Sequence, residues 1–252
     1  MSDSAATTYR AEEKVALLTL NRPEARNALN RAMREGIKSS LEEFDKDENA
    51  RVLVITGAGD VAFSSGADLK EMSNERLQYP PDDFIPRFET NKPVIAAVNG
   101  IAVGGGFLLT QQADLVVASQ NASFGITEAR FGRGSPWALP LSLLVSPRIA
   151  MEMMITAKPI PAQRAFTLGL VNHVVTADQL LPTTMELATT IANNAPLTVS
   201  AAKKMIYLTQ AAILNGLEPK VKEIWRTVYE SEDAQEGPLA FSEKRSPFWK
   251  NR

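Results

Sequence analysis

The chain contains no cysteine. That excludes disulfides, thiolate nucleophiles and cysteine-ligated metals. It has a single histidine, His173, too few for a histidine metal cluster and a poor basis for a serine–histidine relay. No apolar run approaches the roughly 20 residues that span a bilayer. The opening stretch MSDSAATTYRAEEKV carries acids where a signal peptide needs an apolar core, so a soluble cytoplasmic protein without membrane contact is expected. Excess charge of one sign is missing too. The 27 Lys and Arg against 29 Asp and Glu leave a net charge of −2, and the basic residues are dispersed, which argues against a nucleic-acid groove. There is no fixed-period repeat and no low-complexity tract.

What is present is an ordinary globular composition, 44% hydrophobic and 22% charged over 252 residues. That length suits one large core or a core with an appendage. Residues 14–20, 52–56, 93–98 and 114–119 are short, nearly continuous apolar runs, the pattern of strands covered on both faces. Asn30 is a good N-cap for a helix carrying Met33, Ile37, Leu41 and Phe44 at helical spacing. After Pro147 the pattern is helical, at 148–156, 161–168, 178–194, 197–215, 217–231 and 233–244. Strands alternating with helices predict an α/β fold with a mostly parallel sheet. The polar stretch 73–84, with its Pro-Pro pair, predicts a mobile loop.

Two turns attract notice. Gly104, Gly105 and Gly106 stand where the run VNGIAV passes into the helix-like FLLTQQ, although a helical glycine costs about 1 kcal/mol relative to alanine. A strand entering a helix this way leaves the first helical N–H groups unpaired at the positive end of the dipole. Such groups suit an anion or an oxygen gaining charge; tight helix–strand packing is the alternative. The glycines match neither common phosphate-loop pattern. The stretch AFSSGADLKEM, 62–72, is a second turn of small residues following a strand. Two parallel strands ending in such turns can bring their amides together.

The order NRPEARNALN, AFSSGADLKEM, KPVIAAVNGIAVGGG, FGITEARFG, AQRAFTLGLVNHVV and AFSEKRSPFWKNR resembles the crotonase (enoyl-CoA hydratase/isomerase) superfamily, from about Val15 to the C-terminus. The resemblance implies a crotonase-like spiral of ββα repeats over 1–195. It also implies a helical C-terminal region, 196–252, that builds a trimer or a hexamer. It implies an acyl-CoA thioester as substrate and no cofactor beyond the coenzyme A it carries. By position, the amides of Ala67 and Gly105 would receive the thioester oxygen, and Glu128 would act as acid and base on the resulting enolate. Ala25, Arg26, Ala28 and Leu29 match a loop that lies along the adenine and phosphates, with Arg26 placed to meet a phosphate. Asp68, Leu69 and Lys70 fall in the turn beside the thioester. Phe241 and Lys244 match a C-terminal pair that reaches coenzyme A, often from a neighbouring subunit. His173 is read as structural.

The sequence departs from the family at Leu108, where typical hydratases carry their other glutamate. Adding water across a double bond divides its work between two carboxyls. A 1,3-proton shift needs only one base, so isomerisation fits better than hydration. Leu108 and Phe107 are expected to form an apolar wall that raises the pKa of Glu128. Pro136 and Trp137 would narrow the pocket. Arg130 and Arg133 are read as surface charges, the alternative being that they orient a substrate carboxylate in a decarboxylase. A hydratase-lyase and a non-catalytic acyl-CoA binder are further alternatives.

Overall fold

The computed structural model describes residues 5–75 and 85–252, with no description of the side chains of 73–75. The loop expected at 73–84 lies outside the described residues from 76 onward. The chain runs β1 (Thr7–Glu12), β2 (Val15–Leu20), α1 (Arg31–Lys46), β3 (Val52–Gly57), β4 (Ala62–Ser64), α2 (Leu69–Glu75), β5 (Val94–Val98), β6 (Ile101–Val103), α3 (Gly105–Gln112), β7 (Leu115–Ser119) and β8 (Ser123–Gly125). It continues through α4 (Leu141–Leu144), α5 (Pro147–Thr156), β9 (Ile160–Pro161), α6 (Ala162–Thr167), β10 (His173–Val175), α7 (Leu180–Ala192), α8 (Pro196–Leu214), α9 (Glu218–Glu230) and α10 (Asp233–Ser242).

Two sheets result, one ordered β1-β2-β3-β5-β7-β10 and the other β4-β6-β8-β9. The four apolar runs read from sequence are the central strands of the larger sheet. They pair in parallel, Val15 with Val52, Leu53 with Val94 and Ile95 with Leu115. Their alternate residues serve two cores. Leu18, Leu53, Ile55, Ala96 and Ala118 face the main core, while Leu17, Val54, Ile95 and Val117 face a second cluster closed by Leu180, Ala188 and Ala192 of α7. Every residue of β3 and β5 is buried as a consequence.

Three long strands each feed a short one in the smaller sheet, β3 to β4, β5 to β6 and β7 to β8, the first two pairs continuing into α2 and α3. This is the spiral of ββα units. α1 covers the main core through Met33, Ile37 and Phe44, and its N-cap is the Asn30 side chain, which accepts from the Met33 amide at 3.0 Å. Two sets of strands were not read from sequence. β1 is an antiparallel edge strand beside β2, largely exposed and therefore polar. The strands of the smaller sheet are three residues or shorter, too short to show a period.

The C-terminal helices begin within two residues of the expected positions. α8 has no buried residue and leaves Leu197, Met205 and Leu208 exposed. It is tied to the larger sheet through Lys203, whose ammonium donates to Asp114 Oδ2 at 2.8 Å and to the Lys92 carbonyl at 2.9 Å. His173 opens the edge strand β10, paired with Val117.

Candidate active site

The smaller sheet places the candidate residues. β4, β6 and β8 are parallel neighbours, so their C-terminal ends lie side by side. Ala67 follows the end of β4, Gly105 follows β6, and Glu128 follows β8, each within three residues of its strand. Convergence is therefore a property of the sheet.

Close backbone approach explains the glycines. Gly66 has φ 87°, and a methyl group there would lie 2.8 Å from the Val103 carbonyl and 3.1 Å from the Gly105 amide. The turn after β4 is thus pressed onto the start of α3. Gly104, at φ 55°, occupies backbone space that a side chain strains. A methyl group on it would come within 3.4 Å of Glu128 Oε1 and 3.7 Å of the Gly66 Cα. On Gly106 it would sit 2.3 Å from the Ser64 carbonyl oxygen. At Gly105 it would meet only the side-chain ends of Ile85 and Leu29, at 2.8 and 3.0 Å. Gly66 and Gly106 thus hold backbone against backbone, and Gly105 heads a helix with its amide free among the described residues. Among the described residues, no hydrogen bond uses the Ala67 or Gly105 amide.

The 25–29 loop lines the same turn. The Leu29 amide donates to Gly66 O at 2.8 Å, Ser65 N donates to Arg26 O at 3.0 Å, and Leu29 forms an isolated parallel bridge with Ala67. Ala25 ends a short 3-10 turn, and Ala28 is buried. Arg26 is exposed and its guanidinium has no partner among the described residues. Its neighbour Asn27 is the residue sequence reasoning missed. Fully buried and left-handed (φ 53°), Asn27 accepts from Arg22 N at 2.9 Å and donates to Ala58 O at 3.0 Å and Ala62 O at 2.8 Å. An asparagine among turn formers was the available signal, since asparagine tolerates that conformation.

Asp68 heads α2. Its Oδ2 accepts from Arg22 at 3.1 Å, and its Oδ1 accepts from the amides of Lys70 and Glu71 at 3.2 and 3.3 Å. Those partners make it a helix cap. Leu69 is half-buried and Lys70 exposed.

Glu128 opens a 3-10 turn, Glu128–Phe131. The residue keeps some surface, but its Oε2 is buried and lacks a partner among the described residues. Oε1 accepts from Trp137 Nε1 at 3.1 Å. Burial pushes the carboxyl up from its ordinary 4.5 to about 7, against the smaller lowering effects of backbone hydrogen bonds and the indole. A carboxyl in that range can both take and return a proton near neutrality.

A profile of enoyl-CoA hydratase/isomerase matches residues 10–252. The chain belongs to the enoyl-CoA hydratase/isomerase family. A carnitinyl-CoA dehydratase of Proteus mirabilis (strain HI4320) is 40% identical over 266 aligned positions covering 100% of both chains. The crystal structure of a carnitinyl-CoA hydratase from Mycobacterium avium shares 38% identity and a TM-score of 0.89, covering 99% of this chain and 100% of that one. A methylmalonyl-CoA decarboxylase in complex with 2-nitronate-propionyl-CoA shares 29% identity and a TM-score of 0.86, covering 98% and 99%.

In this enoyl-CoA hydratase/isomerase family member, two neighbourhoods fill in what the sequence left open. Phe107 and Leu108 take different directions. Phe107 turns into the core, edge-on to Phe124 at 6.0 Å and to Trp137 at 6.5 Å, because one residue along a helix rotates a side chain by about 100°. Leu108 stays half-buried, and Gln111 follows one turn on with both side-chain polar atoms buried and unpartnered among the described residues. Arg133 is not a surface charge. The left-handed Gly132 folds 133–135 beneath α9, so Arg133 is buried, 5.2 Å over the Tyr229 ring, and donates to Ala234 O at 3.4 Å. Arg130 is exposed, as read. Phe241, on α10, stacks edge-on against Phe131 at 5.5 Å, and Lys244 follows α10 exposed; among the described residues no hydrogen bond, ion pair or ring contact joins either to Ala67, Gly105 or Glu128. Among the described residues no group of three or more His, Asp or Glu is placed to hold a metal ion, and no helix is long and apolar enough to cross a membrane.

Proposed function

We propose that this family member transfers a proton at the carbon next to an acyl-CoA thioester, with the Ala67 and Gly105 amides receiving the thioester oxygen and Glu128 as the acid and base. The observation that carries the reading is the meeting of two free amides and one near-neutral buried carboxyl at the ends of three adjacent strands. A carbonyl oxygen between the two amides becomes an enolate oxygen when the α C–H bond breaks, its electron pair passing into the thioester and its proton to Glu128. Each such donor is worth about 3–4 kcal/mol in the transition state. The exposed Arg26, unpaired among the described residues, suits a phosphate of coenzyme A, and the chemistry calls for no cofactor beyond that coenzyme.

One carboxyl is enough to shift a double bond, since the proton taken from one carbon is returned to another. That reading is favoured because Leu108 supplies no second acid. Dehydration is the second reading, favoured by the name of the Proteus mirabilis relative. There, the same carboxyl would hand the α-proton to a departing β-hydroxyl on the same face, releasing water. The apolar residues left exposed on α8 suit association into a trimer or hexamer.

Deuterium exchange into the α-position of a saturated acyl-CoA tests the reading. Wild-type protein should exchange, Glu128→Gln should not, and Ala67→Pro, which removes one amide donor, should lose 10²–10³-fold. Exchange in Ala67→Pro within about tenfold of wild type would refute the amide assignment. Products from 3-enoyl-CoA and 3-hydroxyacyl-CoA esters then separate the two readings.

A further inference from the structure

Glu128 has two chemically different oxygens. Oε1 lies against the Cβ-less face of Gly104, where a methyl group would come within 3.4 Å, and accepts from the Trp137 indole at 3.1 Å. Oε2 is buried with no partner among the described residues. The indole is wedged edge-on to Phe107, which is itself edge-on to Phe124. An indole N–H donates and cannot accept. A proton on Oε1 would oppose that N–H, whereas a proton on Oε2 leaves the bond intact.

We infer that Trp137 is a positioning residue that decides which oxygen of Glu128 carries the mobile proton: Oε1 stays committed to the indole, and the proton taken from substrate resides on Oε2. This rests on the proposed role of Glu128. In the step, the α C–H bond breaks, its electron pair remains on the thioester as the enolate, and an O–H bond forms at Oε2. Return of the proton reverses that bond and leaves the carboxylate as it began. The indole bond persists in both states, so the carboxyl does not rotate between taking and giving.

The placement has an infrared signature in the full-length protein. With the proton on Oε2, the C=O of the acid is C–Oε1, the bond that the indole touches. Its stretch is isolated by difference against Glu128→Gln and titrated with pH. In Trp137→Phe the band should move to higher wavenumber and the midpoint should rise, because the ionised form loses a donor. kcat for α-proton exchange should fall about tenfold or more with KM held. Trp137→His, which keeps a ring N–H, should restore the lower wavenumber. An unmoved band and midpoint in folded Trp137→Phe overturns the inference, since a C=O at Oε2 would not sense the indole. If Trp137→Phe does not fold, the wild-type indole resonance, one of three, gives the answer. It should stay hydrogen-bond-shifted on both sides of the titration, and loss of that shift on the acid side overturns the inference. A wild type that shows these spectra but no α-proton exchange would remove the proposed function and leave the proton placement standing.

Discussion

Replacing Glu128 by glutamine should change how stability depends on pH. The folded carboxyl titrates at about 7 against an ordinary 4.5, so between those values the folded state holds a proton that the unfolded chain has released. Stability then falls as pH rises through the window. The contribution is fully present below 4.5 and gone above 7. At about 1.36 kcal/mol per unit, a displacement of roughly 2.5 units corresponds to about 3 kcal/mol. Glu128→Gln carries no such slope. Its amide nitrogen takes the place of the unpartnered Oε2, a fixed offset that does not vary with pH. Urea unfolding of both proteins from pH 4.5 to 8, at one protomer concentration, isolates the effect. The difference in unfolding free energy should drift by about 3 kcal/mol toward the variant on going to pH 8. Parallel curves would refute the claim that burial holds this carboxyl protonated near neutrality.

Asn27→Ala should cost about 3 kcal/mol, because Arg22 N and Ala58 O lose their partner in a buried turn; a loss below about 1 kcal/mol in the same urea assay would show the turn to be held otherwise. Gly106→Ala should prevent folding, since its methyl group would meet the Ser64 carbonyl oxygen at 2.3 Å; a soluble variant with wild-type circular dichroism would contradict this. Leu108→Glu should raise hydration of crotonyl-CoA above a weak wild-type rate by supplying a second carboxyl, with the Gln111 amide, unpartnered among the described residues, one turn away to receive it. Fast wild-type hydration would contradict the one-carboxyl reading.

The sequence was legible where one physical requirement dominates many residues in a row. β2, β3, β5 and β7 must be apolar on both faces because α7 closes one side of the sheet and the main core the other. β1 escaped notice because an edge strand facing water has no such requirement. The strands of the smaller sheet escaped because three residues show no period. Arg133 was misread because nothing local tells a buried arginine from a solvated one. Its burial depends on Trp225 and Tyr229 closing over Gly134, some 90 residues further along the chain. The Trp137–Glu128 bond likewise depends on a turn geometry that Gly132 sets.

The arrangement of the site follows from strand order more than from any loop. The turn after β4 can stack on the turn after β6 only if no side chain lies between them. That puts glycine at 66, where a methyl group would strike the Val103 carbonyl, and at 104, whose φ of 55° disfavours a side chain. Helix α3 must then start hard against β4, which puts glycine at 106, beneath Ser64. Residue 105 lies between these two constraints, with an amide that the helix cannot use and only side-chain ends nearby. β8, paired to β6 on its other side, delivers Glu128 to the same edge, and the space left by Gly104 is where its Oε1 rests. A side chain at 104 would therefore strain a backbone held at φ 55°, and one larger than a methyl group would also press on the carboxyl that the indole orients. The glycine row thus answers to two demands at once, since the contacts that join the turns also bring the free amide and the carboxyl together.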